Sequence, residues 1–193
     1  MRPDHRGTLP SARQCLSPNR DERPSGCDVD LLVIHNISLP PNEFGGPWIN
    51  DLFLNRLDPS AHPYFEAIHP LPVSAHLLIR RDGELIQYVP LHQRAWHAGT
   101  SCFGHRERCN DFAIGIELEG ADEIPYSDEQ YQVLAEVTRQ VITIYPAITP
   151  QRITGHSDIA PGRKTDPGPA FNWERFYQLL SEQKEESTAR LGL

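Results

Sequence analysis

The chain has no long apolar run. Nothing in its 193 residues approaches the roughly 18 consecutive apolar residues of a membrane-spanning helix, so no membrane association is expected. Its first residues, Met1-Arg2-Pro3-Asp4-His5-Arg6-Gly7, are basic enough for a signal peptide, but no apolar segment follows them. The expected compartment is therefore the cytoplasm. Cations are in deficit. Lys and Arg total 18 against 26 Asp and Glu, a formal net charge of -8. That balance argues against nucleic acid or an anionic membrane as the main partner. Any anionic substrate has to be held by a local basic cluster. Cysteine is sparse: Cys15, Cys27, Cys102 and Cys109 form no C-x-x-C pair and no zinc-ribbon spacing. They read as reduced, unpaired thiols, although sequence distance alone would permit a Cys102–Cys109 bridge. An H-E-x-x-H pattern is also missing, which weighs against a metallopeptidase of that type.

What is present is the composition of a globular protein, 38% hydrophobic and 23% charged. No internal repeat and no linker divides the chain. We read residues 1–28 as a polar N-terminal arm, extended over the domain or partly disordered. Residues 29–181 form one domain, and 182–193 form a polar C-terminal tail.

Asp30-Leu31-Leu32-Val33-Ile34-His35 predicts a strand buried on both faces, with His35 where it runs out. Pro47-Trp48 opens a short helix. Residues 55–72 should be mostly irregular, with a helical turn near Tyr64. Apolar runs on either side of Asp82-Gly83 predict a β-hairpin. Residues 90–110 read as a long loop carrying Trp96-His97-Ala98-Gly99 and Arg108.

Ile114, Ile116 and Leu118 alternate with Gly115, Glu117 and Glu119 along one strand. There Gly115 would leave room for a substrate, and Glu119 is expected nearer solvent than Glu117. Ser127-Asp128-Glu129-Gln130 is a capping box for a helix reaching about Tyr145. A last helix is expected behind Asn172. Interspersed strands and helices with a hairpin predict an α/β (mixed α+β) single domain: a central mixed sheet with flanking helices.

The chemistry-bearing stretch runs from Gly155 to Pro169. It places His156, Lys164 and Asp166 on what its glycines and prolines mark as a shaped loop. Neutral imidazole and carboxylate are good zinc ligands, and a catalytic zinc needs three protein ligands with one open position. His35 could supply the third. Spacing alone does not select it, because nine histidines are available. Glu117 reads either as a solvated carboxylate on an antiparallel strand or as a general base beside a metal. Lys164 reads either as a solvated lysine or as an oxyanion stabiliser. Asp158 is better suited to capping the loop than to ligation.

Five segments carry a resemblance beyond spacing. They are Val33-Ile34-His35-Asn36, Val73-Ser74-Ala75-His76, Arg94-Ala95-Trp96-His97-Ala98-Gly99, Ile114 to Gly120, and Gly155 to Gly168. In this order the chain resembles the zinc-dependent N-acetylmuramoyl-L-alanine amidases, which share their fold with peptidoglycan recognition proteins. The loop from His35 to Trp48 narrows the likeness to the cytoplasmic branch that acts on 1,6-anhydro-muropeptides in cell-wall recycling.

The resemblance implies one zinc ion per chain, held by His35, His156 and Asp166. Many relatives carry cysteine at the third position; aspartate gives a harder site without an oxidisable sulfur. It further implies Glu117 as acid/base and Lys164 as transition-state stabiliser. The implied partner is a small molecule, an anhydro-muropeptide, met by a monomer. Asn36, Trp96, His97 and Arg108 are candidate substrate contacts. For Trp96 core packing, and for Arg108 a solvated loop position, are the alternatives. His76 reads as structural. The rival functions are a non-catalytic muropeptide-binding module and an exported or phage-type amidase that cuts intact peptidoglycan.

Overall fold

A computed structural model describes residues 7–189. Along the chain lie β1 (Arg13–Gln14), β2 (Arg20–Asp21), β3 (Leu31–Ile37), α1 (Trp48–Phe53), α2 (Pro63–Ile68), β4 (Leu77–Ile79) and β5 (Leu85–Gln87). Next come β6 (Arg94–Ala95), β7 (Cys102–Phe103), β8 (Arg106–Glu107), β9 (Ala113–Glu119), α3 (Asp128–Ile144), β10 (Ile153–Gly155), α4 (His156–Ile159) and α5 (Trp173–Ala189). Single 3-10 turns cover Cys109–Asp111 and Pro150–Arg152.

The main sheet is mixed, in the order β1-β5-β4-β9-β3-β10. β4 and β5 form the antiparallel hairpin foreseen around Gly83, whose φ of 85° suits a turn glycine. The pairs β4–β9, β9–β3 and β3–β10 are parallel. Even-numbered residues of the two central strands, among them Leu32, Ile34, Ile114 and Ile116, join Leu134, Val137, Val141 and Phe176 of α3 and α5 in one core. On the opposite face Leu39, Ile49, Phe53 and Phe65 pack around Leu78 and Tyr88. A third cluster joins Leu31 and Val33 to Ala98, Phe112 and Ile159. The capping box of α3 forms as the sequence requires: Ser127 Oγ accepts from Gln130 N at 3.1 Å, and Gln130 Oε1 accepts from Ser127 N at 3.1 Å. No helix among the described residues is long and apolar enough to cross a membrane.

Several expectations change. Described residues of the N-terminal arm are built into the domain. β1 pairs with β5 at the sheet edge, β2 pairs with β6, and Leu9 and Ser17 are fully buried. The 90–110 stretch holds three short strands and part of a 3-10 turn instead of one long loop. The stretch after Gly155 opens with a helix, α4, closed by Asp158, whose Oδ2 accepts from Gly155 N and Thr154 Oγ1 at 2.9 and 2.8 Å. α5 continues to Ala189 through part of the expected tail; residues 190–193, and residues 1–6 of the arm, lie outside the described residues. All four cysteines are free.

Glu119 is the clearest correction. It is 2% exposed and more buried than Glu117, because β9 lies between two parallel neighbours and both its faces are covered. Burying a carboxylate costs free energy unless it is paired. Glu119 takes Nη1 of Arg80 at 3.0 Å and the backbone N–H groups of Gly45 and Arg81 at 2.7 and 3.3 Å. It thereby ties the loop after β3 to the turn after β4. Removing one partner leaves a buried charge uncompensated. Glu119→Ala is expected to cost about 3–5 kcal/mol in urea denaturation. A loss below about 1 kcal/mol would show that this pair does not hold the loop.

Candidate active site and metal centre

The parallel register of β3 and β9 sets His35 directly opposite Glu117. Both lie on the sheet face turned away from α3, in line with Val33 and Gly115. β10 pairs with β3 on its other side, and Gly155 at its end hands the chain to His156 at the start of α4. Asp166 returns to the same place because Ser157 N donates to its main-chain carbonyl at 2.9 Å. Tyr126 Oη anchors the next residue through the carbonyl of Pro167 at 2.7 Å. Gly168, with φ of 76°, is required here: a Cβ would lie 2.2 Å from Asp122 Cα.

His35 Nδ1, His156 Nδ1 and Asp166 Oδ2 form a triangle with every side 3.0 Å. Among the described residues this is the group of His, Cys, Asp and Glu able to hold a metal ion. The hydrogen bonds behind the triangle decide what it can do. His156 Nε2 faces the carbonyl oxygen of Ala98 at 3.1 Å, so it must carry the proton and donate. In the neutral ring that leaves Nδ1 as a lone pair. His35 Nε2 likewise has its own partner, His97 Nδ1, at 2.9 Å. With Nε2 of His35 protonated toward His97, the tautomer that ligation through Nδ1 requires, two imidazole lone pairs and a carboxylate oxygen converge on one point, which suits a shared cation. Zinc bonds of about 2.0–2.1 Å in a tetrahedron separate ligand atoms by about 3.3 Å. The observed triangle is close to that edge, and its atoms fit a divalent metal.

Burial governs the electrostatics. It lowers the His35 imidazole to about 4, helped by nearby His156 and opposed by its contact with Asp166. His76 and His97 are held well below their usual 6.5, again chiefly by burial. Burial alone would raise Asp166; its contacts with His156 and His35 outweigh that and hold the carboxyl low. Glu117 goes the other way. Burial first, then the charge of Asp166, push it well above 4.5, with Lys164 pulling it back. Its Oε2 is buried and has no partner.

One cleft of about 330 Å³ is lined by His35, Asn36, Trp96, His97, Glu117, His156, Lys164 and Asp166. A larger one, about 610 Å³, beside Phe44, Arg81 and Glu119, lies away from the triangle. The sequence candidates are therefore gathered with one exception. Arg108 lines a different cleft with Gly99 and Ile159, is 71% exposed at its side chain and pairs with Asp111 at 3.2 Å. Asn36 is held by Asp122 Oδ1 at 2.8 Å, and Trp96 Nε1 donates to Asp21 at 3.1 Å. His97 lines the cleft and also stands against the ring of His35. Its ring fills the space over Gly115 that was expected for substrate. His76 accepts from Gly115 N at 3.0 Å and is structural. Sequence reasoning missed the Ala98 carbonyl, because a main-chain acceptor leaves no residue-type signal. It also missed Arg163, which donates to that carbonyl at 2.7 Å.

Comparisons with known proteins give the family. The model of the N-acetylmuramoyl-L-alanine amidase family matches residues 25–169. The chain belongs to that family. It is thus a hydrolase of the amidase type. It is similar to the 1,6-anhydro-N-acetylmuramyl-L-alanine amidase AmpD of Salmonella typhimurium strain SL1344, with 61% identity over 187 residues, covering 96% of this chain and 99% of that protein. A crystal structure of a Se-Met AmpD derivative superposes with a TM-score of 0.91 at 60% identity, covering 94% of this chain and 100% of that one. AmpDh3 from Pseudomonas aeruginosa, in complex with anhydromuramic pentapeptide, superposes with a TM-score of 0.58 at 28% identity, covering 90% and 72%.

The buried histidines make stability depend on pH in a definite direction. Between their unfolded value near 6.5 and their lower folded values, the unfolded chain binds more protons than the native one. Stability from these groups is present above that window and is lost as pH falls through it. The raised Glu117 works oppositely, but it is one carboxyl against three imidazoles. Each contributes up to about 1.4 kcal/mol per pH unit. The metal-free protein is expected to unfold at a lower urea concentration at about pH 5 than at about pH 7. Equal midpoints would contradict the neutral buried histidines.

Proposed function

We propose that this amidase hydrolyses the amide between the lactyl group of 1,6-anhydro-N-acetylmuramic acid and L-alanine of the stem peptide, using one zinc ion held by His35, His156 and Asp166. The observation that carries the metal assignment is the 3.0 Å triangle of His35 Nδ1, His156 Nδ1 and Asp166 Oδ2, with the other nitrogen of each histidine facing its own partner. Support for the substrate comes from the likeness to AmpD proteins and from the anhydromuramic pentapeptide bound by a structural relative. When bound, zinc supplies Lewis-acid polarisation of the lactyl carbonyl and an activated water.

The chain supplies the rest. Glu117 is buried, its carboxyl is raised well above the usual carboxylate range by burial and the charge of Asp166, and its Oε2 has no competing partner. Those are the properties of a group that takes a proton from attacking water and then passes it to the departing alanine nitrogen. Lys164 lines the same cleft, where its ammonium offsets charge building on the carbonyl oxygen. Trp96 offers the face of an indole for the sugar, its nitrogen already held by Asp21. Asn36, fixed by Asp122, is positioned to meet polar substrate groups. Arg108 has no part in this reading, because it faces another cleft. The enzyme acts as a cytoplasmic monomer on soluble muropeptides released for cell-wall recycling.

Glu117→Gln preserves shape and removes the proton carrier. It should retain one zinc per chain and lose about 10²-fold or more in turnover of an anhydro-muropeptide. Turnover near wild type would remove Glu117 from its role. His35→Ala should lose stoichiometric zinc in a metal assay; unchanged metal content would sink the ligand assignment.

A further inference from the structure

His97 lies on the short stretch after β6, outside the triangle. Its side chain nevertheless reaches the ring of His35. Nδ1 of His97 is 2.9 Å from Nε2 of His35, and the two rings meet edge to face with centroids 5.0 Å apart. The main chain of His97 is fixed as well. Asn110 Oδ1 accepts from His97 N at 3.1 Å and from Ala98 N at 2.8 Å. That single amide oxygen therefore sets both the His97 ring and the Ala98 carbonyl that orients His156.

The strand beneath has been shaped to admit the ring. A Cβ at Gly115 would come within 2.5 Å of His97 Cγ and Nδ1. Gly115 sits in the middle of β9, where its neighbours Ile114 and Ile116 are fully buried. A glycine in a strand interior weakens the strand unless something approaches closely there. Here that something is His97.

We propose that His97 is a positioning residue for the metal centre and that Gly115 is the glycine that makes its position available. His97 Nδ1 accepts the Nε2–H of His35, which fixes the tautomer and rotation of that ring and keeps its Nδ1 lone pair aimed at His156 and Asp166. The Ala98 carbonyl does the same for His156. The two histidine ligands thus draw their orienting acceptors from adjacent residues, held together by Asn110. This inference rests on the metal reading above and extends it to residues outside the ligand set. Loss of such an orienting partner typically weakens metal binding 10- to 100-fold.

The test is zinc affinity of the full chain, measured by competition with a chromophoric chelator. The variants are His97→Ala, His97→Asn, His97→Gln and Gly115→Ala, with thermal unfolding of each metal-free protein as the control for folding. Asn places its amide oxygen where His Nδ1 stands; Gln does not. His97→Ala, His97→Gln and Gly115→Ala should each bind zinc about 10- to 100-fold more weakly, while His97→Asn stays within a few-fold of wild type. Nitrogen-15 spectra of the histidine rings in the zinc-loaded wild type should show His35 protonated at Nε2. Unchanged affinity in His97→Ala, or His35 protonated at Nδ1, overturns the proposal. Equal weakening by Asn and Gln also overturns it, because that marks simple packing. If His97→Ala fails to fold, the Asn–Gln contrast and the wild-type spectrum decide. A wild type that binds no zinc removes the metal reading itself, and this inference with it.

Discussion

Three potential metal-ligand atoms from separate segments stand 3.0 Å from one another, and the rest of the site depends on that convergence. His35 comes from a central strand, His156 from the first turn of a four-residue helix and Asp166 from the loop behind it. Asp166 contacts both histidines at 3.0 Å, and the surrounding framework sets the approach of all three. The parallel run of β10, β3 and β9 fixes two of the approaches, and the Ser157–Asp166 main-chain bond fixes the third. The outward hydrogen bonds of the imidazoles to Ala98 and His97 then decide which nitrogens face inward.

The same low-dielectric setting acts differently on each group. It keeps the His35 imidazole neutral, which is the form that binds a metal. It raises Glu117, because burial and the charge of Asp166 disfavour its carboxylate form. Glu119 lies two residues further along the same strand and is more deeply buried. It meets a guanidinium and two amide donors, and so acts as a tie between loops. Two carboxylates on one face of one strand are thus separated in role by their partners.

Much of this was legible in the residues. Four consecutive apolar residues marked β3, the Asp-Gly dipeptide marked the hairpin, and Ser127 with Gln130 marked the start of α3. The three ligand candidates and Glu117 could be named from residue type, order and family likeness, and the structure gathers them in one cleft. The rest was hidden for physical reasons. Period-2 alternation along β9 cannot reveal that both sides of the strand are covered, so Glu119 was expected nearer solvent. Strands of two residues, such as Arg13–Gln14 and Arg20–Asp21, carry no periodicity at all. Gly115 looked like space for a ligand, because a sequence does not show that His97, far from it along the chain, fills it. Arg108 sat beside other basic residues, yet chain direction after β8 turns it toward a different cleft.

The central claim is that one zinc in the His35–His156–Asp166 triangle is what makes this fold an amidase. The direct measurement is a titration of chelator-stripped protein with zinc, following hydrolysis of a 1,6-anhydro-muropeptide and bound metal in the same samples. The account predicts activity near zero without metal, a linear rise with bound zinc, and a plateau at one equivalent per chain. Full activity in the stripped protein, or a plateau unrelated to metal occupancy, would contradict it.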